Sequence, residues 1–281
     1  MNASPPDMPI TASASASGRL PTGALIEEMS PSETRLLVDE IFVRRTYPLH
    51  AWDSPARPVI VDIGSNIGIF VHYAKHVWPN ALVYAVEPVP PVAAVLRRNV
   101  AVFGADVQVI ECGIGAAPGF MEVTFYPGYS IMSRMKGDSQ SDKELLANCI
   151  RQDLRSRLLP GNQLSERHVT AALGSKLAAA QQFRCAVTTL PQLLADKGLS
   201  AVDFLKMDVE GSERDVLRSL SATDWAKIRH IALEVHEYQA GAEMLPELRG
   251  LLDEHGFRTS VAHATAETCP RTLMLYGATG R

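Results

Sequence analysis

Cysteine is scarce. The four residues Cys112, Cys149, Cys185 and Cys269 are far apart in a chain of 281. No C-x-x-C pair occurs, so thiolate metal spacing is absent, and so few cysteines in so long a chain argue against a disulfide framework. Cys112 and Cys185 lie in strand-like surroundings and are expected to be small buried apolar residues. This usage fits a reducing compartment, and the expected location is cytoplasmic. Long apolar runs are also missing: no window approaches the ~18 apolar residues of a membrane span. The N-terminus has neither the basic start nor the apolar stretch of a secretory signal, since its first 18 residues are largely Pro, Ser and Ala. A basic stripe is lacking too. The densest basic stretch, residues 151–157, is interrupted by Asp153, and the net charge is −4. Such a run is a solvated helix face more often than a phosphate grip, so neither nucleic acid nor a membrane is an expected partner.

What remains is an ordinary globular balance, 46% hydrophobic and 21% charged, with ample length for a full core. Residues 1–22 have a composition that cannot offset its ordering entropy and are expected to be disordered. Residues 23–56 form a helical segment, opened at Ser30-Pro31-Ser32-Glu33 with proline at the first helical position, and Leu36, Leu37, Ile41 and Phe42 recur at helical spacing. This segment serves either as a lid over a cleft or as simple core cover. From residue 57 to 281, strand and helix signals alternate. Strands are predicted at 59–63, 81–86, 107–110, 120–126, 184–188, 202–207, 231–235, 258–261 and 273–276. Helices are predicted after Gly68 and Pro90 and at 190–197 and 244–255. Repeated units of this kind build a mostly parallel sheet with helices on both faces, an α/β fold of Rossmann-like type. Residues 127–182 depart from the scheme and are expected to form a helical insertion, either a substrate-facing cap or a cover for the sheet edge.

The most informative stretch is Val59-Ile60-Val61-Asp62-Ile63-Gly64-Ser65-Asn66-Ile67-Gly68, a buried strand running into a glycine loop. The next strand ends on Glu87, an acid placed to accept hydrogen bonds from both hydroxyls of a ribose. A dinucleotide fingerprint would place glycine where Asn66 stands, to admit a pyrophosphate. A loop that opens on Asp62 and carries Asn66 suits a cationic, phosphate-free ligand better, and S-adenosyl-L-methionine has that character. Asp62, Gly64, Ser65, Asn66 and Gly68 are therefore the candidates for its methionine side, Glu87 for the ribose and Pro88 for the adenine pocket.

The Asp62–Gly68 loop, the Val86-Glu87-Pro88 strand end, Leu96 and Asn99, Lys206-Met-Asp208-Val-Glu210-Gly211-Ser-Glu213 and Leu233-Glu234-Val235-His236 together resemble the FkbM-type S-adenosylmethionine-dependent methyltransferases. The resemblance spans about residues 57–240, and 125–133 further resemble members that tailor polyketides and nonribosomal peptides. It implies a class I sheet of seven strands with an antiparallel closing strand. It also implies O-methylation of a small-molecule hydroxyl on a polyketide, peptide or sugar, either free or bound to a carrier protein.

Catalysis is expected at the ends of two neighbouring strands, from Asp208, Glu234 and His236. Two routes are open. Asp208 and Glu234 could hold Mg²⁺, which takes oxygen ligands and would acidify the acceptor hydroxyl. Without a metal, His236 would act as general base, its ordinary pKa near 6.5 being suited to the task. Glu213 is expected to be structural, an acid in the first turn of a helix. Lys206 and Glu210 could simply form an ion pair that fixes the loop. His72 and His76 have the i, i+4 spacing of a zinc pair but lack an accompanying glutamate or thiol. Two other classes stay open, a catalytically inactive methyltransferase-like binding module and a dinucleotide-dependent oxidoreductase.

Overall fold

The computed structural model describes residues 18–130, 140–157, 164–209, 211–236, 244–263 and 272–280. The main sheet is built from β1 (Val59–Ile63), β2 (Leu82–Val86), β3 (Val107–Ile110), β7 (Val202–Met207), β8 (Ile228–His236), β9 (Phe257–His263) and β10 (Thr272–Thr279), in the order β3-β2-β1-β7-β8-β10-β9. β3, β2, β1, β7 and β8 run parallel, and β10 lies antiparallel to both neighbours, β8 and β9. The closing strand implied by the resemblance is thus present. Because β1, β7 and β8 are parallel, their carboxyl ends share one edge, where open α/β sheets place their ligands.

Helices cover both faces. On one face Ile60, Phe204, Ala232 and Met274 pack with Phe42, Phe70 and Tyr73, which come from the N-terminal segment and from α2 (Ile69–Val77). On the other, Val61, Leu205, Ile231, Leu233 and Leu275 pack with Leu190 and Leu194 of α6 (Leu190–Asp196), Val216 and Leu217 of α7 (Glu213–Arg218), and Leu248 and Leu252 of α9 (Met244–Glu254). All six residues of β7 are buried, as a strand covered on both faces requires. Each large aliphatic or aromatic side chain so enclosed contributes about 1.5–3 kcal/mol.

A second sheet was not expected from the sequence. It joins β4 (Gly113–Ile114), β5 (Gly119–Phe125) and β6 (Gln181–Thr188) in the order β4-β6-β5, with β5 antiparallel to β6. β6 begins three residues before the predicted start at Arg184. Gln181 and Gln182 are exposed on it, and their polarity conceals the strand. Between β5 and β6 lie α4 (Gln140–Arg157) and α5 (Glu166–Ala178). They close a small core of their own around Tyr126, Tyr129, Leu146, Ile150 and Val169. Tyr126 and Tyr129 therefore belong to the inside of the insertion.

The N-terminal segment is ordered earlier than its composition indicates. Residues 1–17 lie outside the described residues, but Gly18 to Thr22 belong to a turn in which Ile26 N–H donates to the Gly18 carbonyl at 2.6 Å, and Leu20 is buried. The expected disordered tail therefore overlaps packed chain at 18–22, because one leucine finds a place in the core. α1 (Pro31–Val38) follows, then a π-helical turn, Asp39–Val43. α3 (Pro90–Val100) clamps this segment to the sheet through Asn99. The Asn99 side chain accepts from Glu27 N–H (2.7 Å) and donates to the carbonyls of Glu27 (3.0 Å) and Ile67 (2.8 Å). Asn99→Ala would leave these groups without their partners at a buried position. We expect a loss of about 3 kcal/mol in urea unfolding, since each buried orphan costs ~1–3 kcal/mol.

Candidate active site

The glycine loop turns sharply between β1 and α2. Gly64 (φ +79°) and Gly68 (φ +91°) occupy left-handed backbone, and Asn66 (φ +47°) joins them. The need for glycine comes from the protein itself. A Cβ on Gly64 would lie 2.2 Å from the Asp208 carbonyl oxygen, and one on Gly68 would lie 2.8 Å from a Leu96 methyl. The sequence had suggested room for a ligand; the structure shows room for the end of β7 and for α3.

Every loop amide from Gly64 to Gly68 is already engaged. Gly64 and Ser65 N–H both donate to the Val86 carbonyl (3.0 Å each), and Gly68 N–H to the Ser65 carbonyl (2.9 Å). Asn66 N–H donates to Glu87 Oε2 (3.0 Å), and Ile67 N–H to Asn66 Oδ1 (2.7 Å). A pyrophosphate held in a glycine loop needs such amides. The carboxylates of Asp62 and Glu87 flank this loop instead, a setting that suits a cation.

Glu87 directly follows β2 and is buried. Its two oxygens accept from Asn66 and Val89 N–H, both at 3.0 Å, which fixes the carboxylate at the mouth of the loop. Burial drives its pKa up to about 7, against the opposing pull of those two hydrogen bonds and of Lys206. Pro88 beside it is half-buried. Ser65 Oγ donates to the Asp62 carbonyl at 2.8 Å and so braces the loop rather than reaching outward.

Glu210, with which Lys206 could also pair, lies outside the described residues. Lys206 faces Asp62 across the β1–β7 ladder, with its ammonium 3.1 Å from Asp62 Oδ1, and it donates to the Gly64 carbonyl at 2.9 Å. The Tyr47 and Phe70 rings lie 5.7 and 5.8 Å from it. Burial alone would push the ammonium down, yet Asp62, Asp208 and Glu234 together hold its pKa above the ordinary lysine value. Among the described residues no hydrogen-bond donor reaches Asp62 Oδ2, although the side chain is fully buried.

The ladder continues this polar row. Lys206 pairs with Ala232, and Ala232 with Tyr276. Cross-strand partners share a face, so Glu234, two residues past Ala232, stands on the side of Lys206. Above the row lie Tyr47 and Glu40. Burial, followed by the negative charge of Glu234, raises the Glu40 pKa to about 8, while Lys206 and Arg44 act against the rise. Burial and the same carboxylates push the Tyr47 hydroxyl well above its ordinary value. Glu40 and Tyr47 escaped the sequence reading because they belong to a segment that precedes the strand–loop motif. Their signal was weak: one acid among several charged residues of a helical run, and a tyrosine just beyond it.

The sequence candidates fare unevenly. Asp62, Gly64, Ser65, Asn66, Gly68, Glu87, Asp208 and Glu234 converge on one sheet edge. His236 is the last residue of β8, with its backbone paired to Thr272, but its side chain lies outside the described residues. The donor set does not favour Mg²⁺. Among the described residues no three His, Cys, Asp or Glu side chains form a group that could hold a metal ion, and the cation set among these carboxylates is Lys206. His72 is a buried structural residue, its Nε2 2.9 Å from the Asn99 carbonyl oxygen, and His76 is exposed. Cys112 and Cys185 are buried thiols whose pKa burial raises to about 11. No described helix is long and apolar enough to cross a membrane.

The strand order and the acid-tipped second strand define a Rossmann-like class I methyltransferase. The comparisons narrow this. Residues 62–259 match the model of the Methyltransferase FkbM domain. The chain is 34% identical over 239 residues to the 31-O-demethyl-FK506 methyltransferase FkbM of Streptomyces tacrolimicus, covering 85% of this chain and 87% of that protein. It is 32% identical to the AMB antimetabolite synthetase AmbE of Pseudomonas aeruginosa over 86% of this chain but only 11% of that one. A solved structure, methyltransferase FkbM from Methylobacillus flagellatus, shares the fold with a TM-score of 0.50 at 15% identity, over 89% of this chain and 56% of that one. The chain belongs to the FkbM methyltransferase family.

Lys206→Met would leave Asp62 buried without its ammonium. Breaking a buried pair from one side costs ~3–5 kcal/mol, so chemical denaturation should show a large loss. Asp62→Asn combined with Lys206→Met should recover part of it.

Proposed function

We propose that the chain transfers the methyl group of S-adenosyl-L-methionine to a hydroxyl of a small-molecule natural product. The observation that carries the cofactor assignment is the loop itself. All five of its amides are bonded within the protein, while Glu87, Asp62, Asp208 and Glu234 surround it with negative charge. A dinucleotide would need those amides for its phosphates. A sulfonium and an ammonium need the carboxylates. The intact acid set also argues against an inactive binding module.

When bound, the cofactor supplies an electrophilic methyl on a positively charged sulfur. The protein's residues do the rest. Glu87 accepts from the ribose hydroxyls through lone pairs that Asn66 and Val89 leave available. The loop fixes the cofactor's methionine end, and Pro88 borders the adenine. Proton removal from the acceptor falls to the carboxyl end of β8, where Glu234 stands and which His236 terminates. Alignment and exclusion of water provide most of the remaining acceleration, because the leaving group is already activated.

The acceptor is a hydroxyl by analogy with the name of the FK506 relative. The insertion between β5 and β6 supports its role as a substrate-facing cap by where it starts. Ser130, at its entry, donates to Glu33 of α1 (2.9 Å) and lies 3.5 Å from the Asn66 amide nitrogen, so this chain comes down on the cofactor loop. A carrier-bound acceptor is a second form of the same reading. It is favoured by the match to about a tenth of a much longer synthetase.

Glu87 provides the test. Its folded pKa, about 7, lies above the ordinary 4.5. Its contribution to stability is therefore full below pH ~4.5 and is lost as pH rises to ~7. Glu87→Gln, which never ionises but whose NH₂ cannot accept one of the two N–H bonds, should lie below the wild type in acid and gain on it by up to ~3 kcal/mol as the pH rises past 7. It should also bind S-adenosylmethionine at least about tenfold more weakly in calorimetry. Wild-type affinity should rise between pH 6 and 8 as the carboxylate forms. Unchanged affinity in the variant would remove Glu87 from the ribose site.

A further inference from the structure

Asn66 stands where a dinucleotide loop would carry glycine, and its backbone is left-handed (φ +47°). Asparagine tolerates that conformation because its side chain can bond the adjacent backbone. It does so here, with Asn66 Oδ1 accepting from Ile67 N–H at 2.7 Å. That bond settles which way the carboxamide points. Its oxygen is turned to Ile67, so its Nδ2 is turned to Ser130 Oγ, 3.5 Å away. Ser130 Oγ in turn donates to Glu33 Oε2 at 2.9 Å. An amide NH₂ only donates, which leaves the hydroxyl hydrogen for Glu33 and a lone pair for Asn66. One buried hydroxyl therefore joins three segments that are remote in sequence: α1, the glycine loop and the entry of the insertion.

Both ends of this link are anchored. On the loop side, Asn66 N–H donates to Glu87 Oε2 at 3.0 Å, so the conformation of Asn66 sets where the acid at the tip of β2 rests. On the insertion side, the Pro127 carbonyl accepts from Lys176 of α5 at 2.8 Å, and the same ammonium lies 5.1 Å from the centre of the Tyr129 ring. The Tyr129 hydroxyl donates to Asp153 of α4 at 3.3 Å. Residues 127–129 are thus tied to both helices of the insertion, and Ser130 is next in the chain. A contiguous path of contacts runs from α4 and α5 through Ser130 and Asn66 to Glu87.

We propose that Ser130 is a positioning residue for the cofactor: it holds the Asn66 carboxamide, Asn66 holds Glu87, and the insertion and bound S-adenosylmethionine thereby stabilise each other. This rests on the assignment of the ribose to Glu87. At 3.5 Å the Asn66–Ser130 contact is long for a hydrogen bond, and it shortens when the ribose engages Glu87. Coupling of this kind is reciprocal. The cofactor firms the entry of the insertion, and the insertion firms the cofactor site. The asparagine in the loop is explained by the same contact, because glycine would satisfy the backbone but offer Ser130 nothing to hold.

The test is a double-mutant cycle read by calorimetry of the full chain, with S-adenosylmethionine as the probe. Ser130→Ala removes the hydroxyl, Asn66→Gly removes the carboxamide while suiting the left-handed backbone, and the double variant lacks both. We expect Ser130→Ala to weaken binding about fivefold when Asn66 is present, but less than about twofold in the Asn66→Gly background. Ser130→Thr, which keeps the hydroxyl, should stay within about twofold of the wild type. A residue that only supports the fold would cost the same in both backgrounds. Equal weakening in the two backgrounds, or none by Ser130→Ala in the wild type, overturns the proposal and leaves the cofactor assignment intact. Hydrogen exchange of the wild type gives a second reading that needs no variant. S-adenosylmethionine should slow exchange at residues 128–130 by at least about fivefold, and unchanged exchange there overturns the proposal. Failure of the wild type to bind S-adenosylmethionine overturns both the proposal and the cofactor assignment.

Discussion

A buried lysine paired with a buried aspartate holds this site together. Lys206 on β7 meets Asp62 on β1 across the ladder and also bonds the Gly64 carbonyl, so one ammonium fixes two strands and the start of the loop. A pair of this kind gains little net stability over an apolar core of the same shape, because desolvating both charges offsets their attraction. Its effect is geometric. It sets where β1 ends and anchors the start of the loop. Gly64 then has to be glycine, since the Asp208 carbonyl of the neighbouring strand end approaches to where its Cβ would be.

The same economy governs the loop's hydrogen bonds. A glycine loop that keeps its amides free is an anion receptor, and one that spends them on its own backbone is not. Here Val86, Ser65, Asn66 and Glu87 absorb them all. The surrounding carboxylates then make the electrostatic choice of ligand. On the proposed assignment, the preference for a cationic ligand is thus decided by bonds the protein makes to itself.

Much of this was legible in the sequence because the strand–loop–helix unit is local. The run 59–68, the acid at 87 and the strand 202–207 declare themselves through apolar continuity and positive-φ glycines, and the structure places them as expected. What escaped depends on contacts between distant segments. Glu40 and Tyr47 carry no motif, and only packing across the sheet edge brings them to Lys206. Strand register also brings Lys206 to Asp62, 144 positions away (206 − 62), a pairing that no local spacing announces. The small sheet of β4, β5 and β6 was hidden because β4 has two residues and β6 opens on exposed glutamines.

The helical insertion leaves and re-enters the fold at paired positions, since Phe125 at the end of β5 lies opposite Gln181 at the start of β6. Its two ends are therefore held as neighbours by the ladder, whatever lies between them. The entropy of closing such a loop grows only with the logarithm of its length. Relatives can consequently lengthen, trim or exchange this module while the seven-stranded platform stays undisturbed. Under the proposed role of the insertion as a cap, changes of acceptor can be confined to one part of the chain.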